Sequence, residues 1–132
     1  MRTRTKARQR AAEALYEADL RGVNPREVLE RNPDVNEYTG HIIDVVLENS
    51  DRIDETISTY SQDWAIERMP AVDRAILRVA VAELLYVPQL DSAVIISEAV
   101  EVASSIGSEE VGKFLNGILG QIATVRSART EL

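Results

Sequence analysis

The 132-residue sequence predicts a single all-α domain of about six or seven helices preceded by a basic N-terminal arm. Three observations carry this. Apolar residues recur at three- and four-residue spacing along most of the chain, the period of a helix with one buried face. No hairpin signal or sustained period-two apolar alternation occurs. The four prolines and six glycines fall mostly where helices would begin or end.

The first helix is expected from about Thr5 to Arg21, with Ala7, Ala11, Ala14, Leu15 and Ala18 as a small-residue stripe and Gly22 as a left-handed C-terminal cap. Asn24-Pro25 reads as an N-cap followed by proline at the first helical position, opening a short helix to about Glu30. Ile42, Ile43, Val45, Val46, Leu47, Ile53 and Ile57 belong to one or two helices between Asn36 and Tyr60, with Ser50-Asp51 as the expected break. Asp63 is expected to cap a short turn containing Trp64 and Ile66. Pro70 starts a helix that is apolar nearly all round, from Val72 to Leu85, and Pro88 ends it; such a helix belongs at the centre of the core. Val94-Ile95-Ile96 is continued at helical spacing by Ala99, Val100, Val102, Ala103 and Ile106, so it reads as helix up to Gly107. Ser108 then caps the last helix, with Glu109 and Glu110 in its first turn where the macrodipole favours acids. Val111, Leu115, Ile118, Ile122 and Val125 form its inner stripe.

A chain of this length buries a core without staples, and it has no cysteine. Thiol catalysis and cysteine–zinc sites are excluded. Apolar residues make up 45% of the chain, yet the longest apolar runs are far short of a membrane span, and no apolar stretch follows the basic N-terminus as in a signal peptide. The cytoplasm is the expected location. His41 is the only histidine and is expected on a helix surface. Glu109-Glu110 and Asp54-Glu55 diverge on a helix, and no phosphate-cradling glycine loop is present, so no enzyme, cofactor or metal site is expected.

The net charge of −7 conceals an asymmetry. Residues 1–10 hold five cations (Arg2, Arg4, Lys6, Arg8, Arg10) and no acid. Through Arg26 seven basic side chains stand against three acidic, a net of +4; the remainder has eight against nineteen, a net of −11. A basic segment on an acidic body confines polyanion binding to that segment. In a helix Arg2, Lys6 and Arg10 stack at four-residue intervals, as do Arg4 and Arg8. Like charges at that spacing, in a first turn that disfavours cations, predict an arm frayed when free and ordered on a polyanion. The expected division is therefore residues 1–10 as an arginine-rich arm and residues 11–132 as a single helical domain. Few core apolar groups fall in the arm, so its removal is expected to leave the fold intact.

Four blocks go beyond composition: residues 8–16 (RQRAAEALY), 72–80 (VDRAILRVA), 96–103 (ISEAVEVA) and 113–119 (KFLNGIL). In that order they resemble the arginine-rich start, central helix, penultimate helix and last helix of the NusB family. The resemblance implies a helical RNA-binding factor of transcription antitermination. Such a factor binds the boxA element of nascent RNA together with NusE, a protein shared with the small ribosomal subunit, and joins the antitermination complex with RNA polymerase at ribosomal RNA operons. It further implies RNA contacts by Arg2, Arg4, Lys6, Arg8 and Arg10, assisted by Tyr16, Glu67, Lys113 and Phe114, and places Asp73 at a position tied to NusE binding. The sequence departs from the family pattern in having Glu110 where an aspartate can stand, and in alternating its basic residues where others cluster them.

The residues themselves leave alternatives open. Phe114, the only phenylalanine, falls with Lys113 on the flank of the inner stripe, where it either packs in the core or stacks on an unpaired base. Tyr16 either seals helix packing or reaches a phosphate or base. Asp73 is an exposed acid at a helix start that either meets a partner or simply favours its own helix terminus. For the whole chain the other reading is a helical protein–protein interaction module whose basic arm docks on an acidic protein or mediates self-association; monomer and homodimer are both open.

Overall fold

The computed structural model describes residues 2–32 and 36–130. Met1 of the expected arm and residues 131–132 lie outside the described residues. Among those described there are seven α-helices, one 3₁₀ turn and no strand: α1 Thr3–Arg21, α2 Pro25–Glu30, α3 Glu37–Glu48, α4 Ser50–Tyr60, the turn Ile66–Arg68, α5 Ala71–Tyr86, α6 Ser92–Ile106 and α7 Glu109–Thr130.

The punctuation reflects local chemistry. Gly22 ends α1 at φ 67°, a left-handed conformation that costs glycine nothing. Asn24 and Asn36 each accept a hydrogen bond from the backbone N–H two residues on, at 2.8 and 2.7 Å, and so cap α2 and α3. The break between α3 and α4 falls at Asn49, one residue ahead of Ser50-Asp51, and the Asn49 side chain donates to the Val45 carbonyl. The expected turn after Asp63 forms later, at Ile66–Arg68, and carries no side-chain cap.

Helix α5 is the axis of the molecule. Ile76, Leu77, Val79, Ala80, Val81, Ala82 and Leu84 are all buried, because α1, α3, α4, α6 and α7 each pack against this one helix. Its neighbours' directions can be read from paired residues. Arg8 meets Glu83 while Asp19 meets Arg74, so α1 runs antiparallel to α5. Ser108 meets Asp73 and Arg126 meets the Val87 carbonyl, so α7 runs parallel to it, and α6 returns between them. The alanine stripe of α1 (Ala7, Ala11, Ala14, Ala18) is buried, as the small side chains predicted, and Ile42, Ile43, Ile53, Ile57, Ile95, Leu115 and Leu119 complete the core. Truncating one of these, such as Leu77→Ala, costs about 2–5 kcal/mol.

The domain has two ends of different chemistry. One holds the C-terminal turns of α5 and the N-terminal turns of α1 and α3. The other holds the N-terminal turns of α5 and α7. Asp73 and Glu83 mark them, ten residues and so about 15 Å apart along α5.

A candidate nucleic-acid interface at two ends of the central helix

Helix α1 begins at Thr3 and continues without interruption past residue 10. The segment expected to be frayed by charge repulsion is therefore helical, and α1 is continuous through residues 10 and 11. The reason lies beneath it. Arg8 is 2% exposed, and its Nε lies 2.9 Å from both carboxylate oxygens of Glu83 on α5. Its Nη1 donates to Glu98 on α6 at 3.2 Å. The Thr5 hydroxyl donates to the same Glu98 at 2.6 Å, and the Tyr38 hydroxyl donates to Glu83. Burial works against the charged form of Arg8, but the hydrogen bond and charge of Glu83, with Tyr38 and Glu98, outweigh it and hold the guanidinium above its ordinary range. Burial, then the hydrogen bond to Glu83 and its negative charge, push the Tyr38 phenol above the usual tyrosine range, so it remains a donor.

Arg8 thus bonds to Glu83 and Glu98 within the protein, and the sequence reading that set it among the RNA contacts meets a side chain that is buried. Removing residues 1–10 would take Thr5 and Arg8 away from two buried carboxylates, which bears on the expectation that truncation leaves the fold untouched. The other four cations of this segment, Arg2, Arg4, Lys6 and Arg10, are exposed. Two of them lean on the same cluster. Arg4 places its guanidinium carbon 4.1 Å from the centroid of the Tyr38 ring, a cation–π distance, and Arg2 lies 4.0 Å from Glu98 with its side chain 77% exposed. An ion pair at 4.0 Å with so exposed an arginine contributes little to stability. Tyr16 lies two turns further along α1 and is exposed.

At the opposite end, Phe114 is half-buried, with one face stacked on Trp64 at 4.9 Å between centroids and 28° between planes. Phe114 is neither an enclosed core residue nor a free one; its stack with Trp64 stiffens the ring, and the preceding residue, Lys113, is exposed. Glu67 is exposed in the 3₁₀ turn that follows Trp64.

Asp73 differs from the expectation of an exposed acid. It is fully buried, with Oδ1 accepting from the Ser108 N–H at 2.9 Å and Oδ2 from the Ser108 hydroxyl. Ser108 Oγ in turn accepts from the Val111 N–H at 3.3 Å. The turn between α6 and α7 has folded over the start of α5, so the carboxylate ties α7 to the central helix. Gly107 permits this approach: a Cβ there would sit 2.8 Å from the Ala103 carbonyl and 2.9 Å from Val111 Cγ1. Arg8 and Asp73 therefore both lie beneath the surface, one at each end.

The sequence-predicted residues fall into two groups and are not brought together at one point. Arg2, Arg4, Lys6 and Arg10 share the α1 end; Glu67, Lys113 and Phe114 share the α7 end; Tyr16 lies between them along α1. Sequence reasoning missed Thr5, Tyr38, Trp64, Glu83 and Glu98. A signal for Glu83 was present, since it is the one acid between Ala75 and Tyr86 in a helix read as buried all round, and a buried acid demands a cation. His41 is exposed, tilted against Tyr38 at 6.0 Å. Among the described residues no three His, Asp or Glu side chains converge as a metal-binding group.

A sequence profile of the NusB family matches residues 5–124. The chain belongs to the NusB family. It is 46% identical over 131 residues to the transcription antitermination protein NusB of Kineococcus radiotolerans, covering 96% of each chain. It is 47% identical to that of Salinispora tropica, covering 93% of this chain and 96% of that protein. Among solved structures, NusB of T. maritima superposes with a TM-score of 0.85 at 34% identity over the whole of both chains. A chain from a crystal structure of antitermination factors NusB and NusE in complex with dsRNA gives 0.79 at 33% identity, covering 95% of this chain and 98% of that one. The NusB family consists of transcription antitermination factors, not enzymes.

Proposed function

We propose that this NusB-family chain is an RNA-binding transcription antitermination factor. It binds boxA-type single-stranded RNA together with NusE and joins the antitermination complex on RNA polymerase at ribosomal RNA operons. The observation that carries this reading is the match over 95% of the chain to a NusB crystallised with NusE and dsRNA. The geometry supports it from the other direction. Four exposed cations project from one end of a helix on a protein of net charge −7, so a polyanion is attracted at that end and repelled elsewhere.

In this reading the two ends do different work. The α1 cations neutralise phosphates, which gives affinity without sequence information. The outer side of Phe114, backed by Trp64, offers a stacking surface for an unpaired base with Lys113 beside it. Asp73 serves the NusE side by fixing the start of α7 against α5 rather than by presenting its own carboxylate. The reading puts the chain in the cytoplasm, on the ground that such a factor works where RNA polymerase works. No helix among the described residues is long and apolar enough to cross a membrane.

The test is fluorescence anisotropy of a labelled boxA RNA against a scrambled RNA of the same composition, with and without NusE. The reading expects preference for boxA and tighter binding with NusE present. Equal affinity for the two RNAs under both conditions would remove it.

A further inference from the structure

We propose that Glu98 and Glu83 are positioning residues for nucleic-acid binding. Their buried carboxylates fix the first two turns of α1, so that its exposed cations meet phosphates as a rigid array rather than as a tail. The inference rests on the RNA-binding reading above and extends it to residues that touch no RNA.

The physical problem is plain. A helix start bearing only cations is disfavoured by mutual repulsion and by the macrodipole, and α1 has no acid in its first turn and no side-chain N-cap. Yet Lys6 N–H donates to the Arg2 carbonyl at 2.9 Å, so the helix is formed from its first turn. The anions that permit this come from other helices. Formally, one buried guanidinium faces two buried carboxylates, with the Thr5 and Tyr38 hydroxyls donating the remaining hydrogen bonds. The excess negative charge is shielded from water and lies directly under the helix start, where Arg2 approaches it. Thr5 and Arg8 are on α1 itself, so both handles pull the segment onto α5 and α6. A segment held in this way loses little conformational entropy on binding, whereas a loose tail must be ordered first.

This account and a purely electrostatic one predict opposite signs for Glu98→Gln. If Glu98 were only one more acid near a polyanion site, its neutralisation would tighten RNA binding. If it positions α1, binding weakens despite the removal of a repelling charge. We expect affinity for the boxA RNA to fall about tenfold at 0.15 M salt. The slope of log K against log salt should become shallower by about 1.4, equivalent to two phosphate contacts of about 0.7 each on a single strand. Amide hydrogen exchange of residues 6–10 should accelerate while the amides of α5 remain protected. Glu98→Asp, which keeps the charge, should recover part of the slope.

A folded Glu98→Gln protein with unchanged or tighter binding and an undiminished slope would overturn the proposal. Should that variant fail to fold, Thr5→Val removes a single handle at nearly constant volume and must show the same shallower slope and faster exchange; unchanged values there would overturn it equally. If the unmodified chain itself shows no RNA binding, the functional reading fails, whereas hydrogen exchange of residues 6–10 still reports whether the carboxylates hold the helix.

Discussion

The two ends of α5 solve one problem in different ways. Each carries exposed polar or charged groups near the start of a helix, which is the least stable part of a helix. At the α1 end the support is ionic and lies within the core: Arg8 between Glu83 and Glu98. At the α7 end it is a cap and an aromatic stack: Asp73 on Ser108, and Trp64 under Phe114. Buried anions lie under the cations at one end, and a second ring backs Phe114 at the other. The chemistry of the support mirrors the chemistry each end presents.

The largest effect expected from this contrast is on folding. Glu83→Ala leaves Arg8 without its bidentate partner, and loss of one member of a buried pair costs about 3–5 kcal/mol. Denaturant unfolding should show it, and deletion of residues 1–10 should cost at least as much. A deletion variant of unchanged stability would mean that the ionic support is dispensable and the comparison wrong.

Next in size is Phe114→Leu, which retains much of the apolar volume but removes the flat ring. Binding to boxA RNA should weaken by about 1–3 kcal/mol. Because Trp64 is the only tryptophan and stacks directly on Phe114, its emission should change when RNA occupies that end. A fluorescence titration in which Trp64 stays silent while RNA binds would move the RNA away from α7.

Asp73→Ala sharpens the comparison at the same end. It frees the Ser108 N–H and hydroxyl and should cost about 1–3 kcal/mol of stability, read by thermal or denaturant unfolding. It should also weaken NusE binding more than RNA binding by the isolated chain, because the start of α7 shifts as a whole. Calorimetry showing an unchanged NusE affinity would separate Asp73 from that interface.

The smallest effect belongs to Gly117, one turn beyond Phe114. A Cβ there meets nothing within 4 Å. Gly117→Ala should therefore stabilise the helix by about 0.5–1 kcal/mol. If RNA backbone passes close to this surface, the same change lowers RNA affinity, so stability and affinity move in opposite directions.

Much of this architecture is legible in the sequence. The helical period, the Asn24-Pro25 start, the Gly22 stop and the apolar circumference of α5 each state a local physical requirement that the fold meets. The start of α1 is not legible. Its sequence contains the repulsion among Arg2, Arg4, Lys6, Arg8 and Arg10, whereas the compensating carboxylates are 75 and 90 residues away from Arg8. Asp73 shows the same limit: its position at a helix start suggests exposure, and only the return of the α6–α7 turn buries it. Phe114 lies on the boundary that helical spacing indicates, but its partner Trp64 is 50 positions earlier, beyond the reach of that spacing. Local rules recover the elements; the pairings between elements decide which polar groups remain at the surface.

The division of labour between the two ends is tested most directly by a salt titration of boxA and scrambled RNA on three proteins: the unmodified chain, Lys6→Ala and Phe114→Leu. Lys6→Ala should weaken both RNAs alike and make the salt slope shallower by about 0.7. Phe114→Leu should leave the slope unchanged and narrow the ratio between boxA and scramble. The reverse pattern, with Lys6→Ala eroding sequence preference and Phe114→Leu eroding the slope, would contradict the assignment of charge to α1 and base recognition to α7.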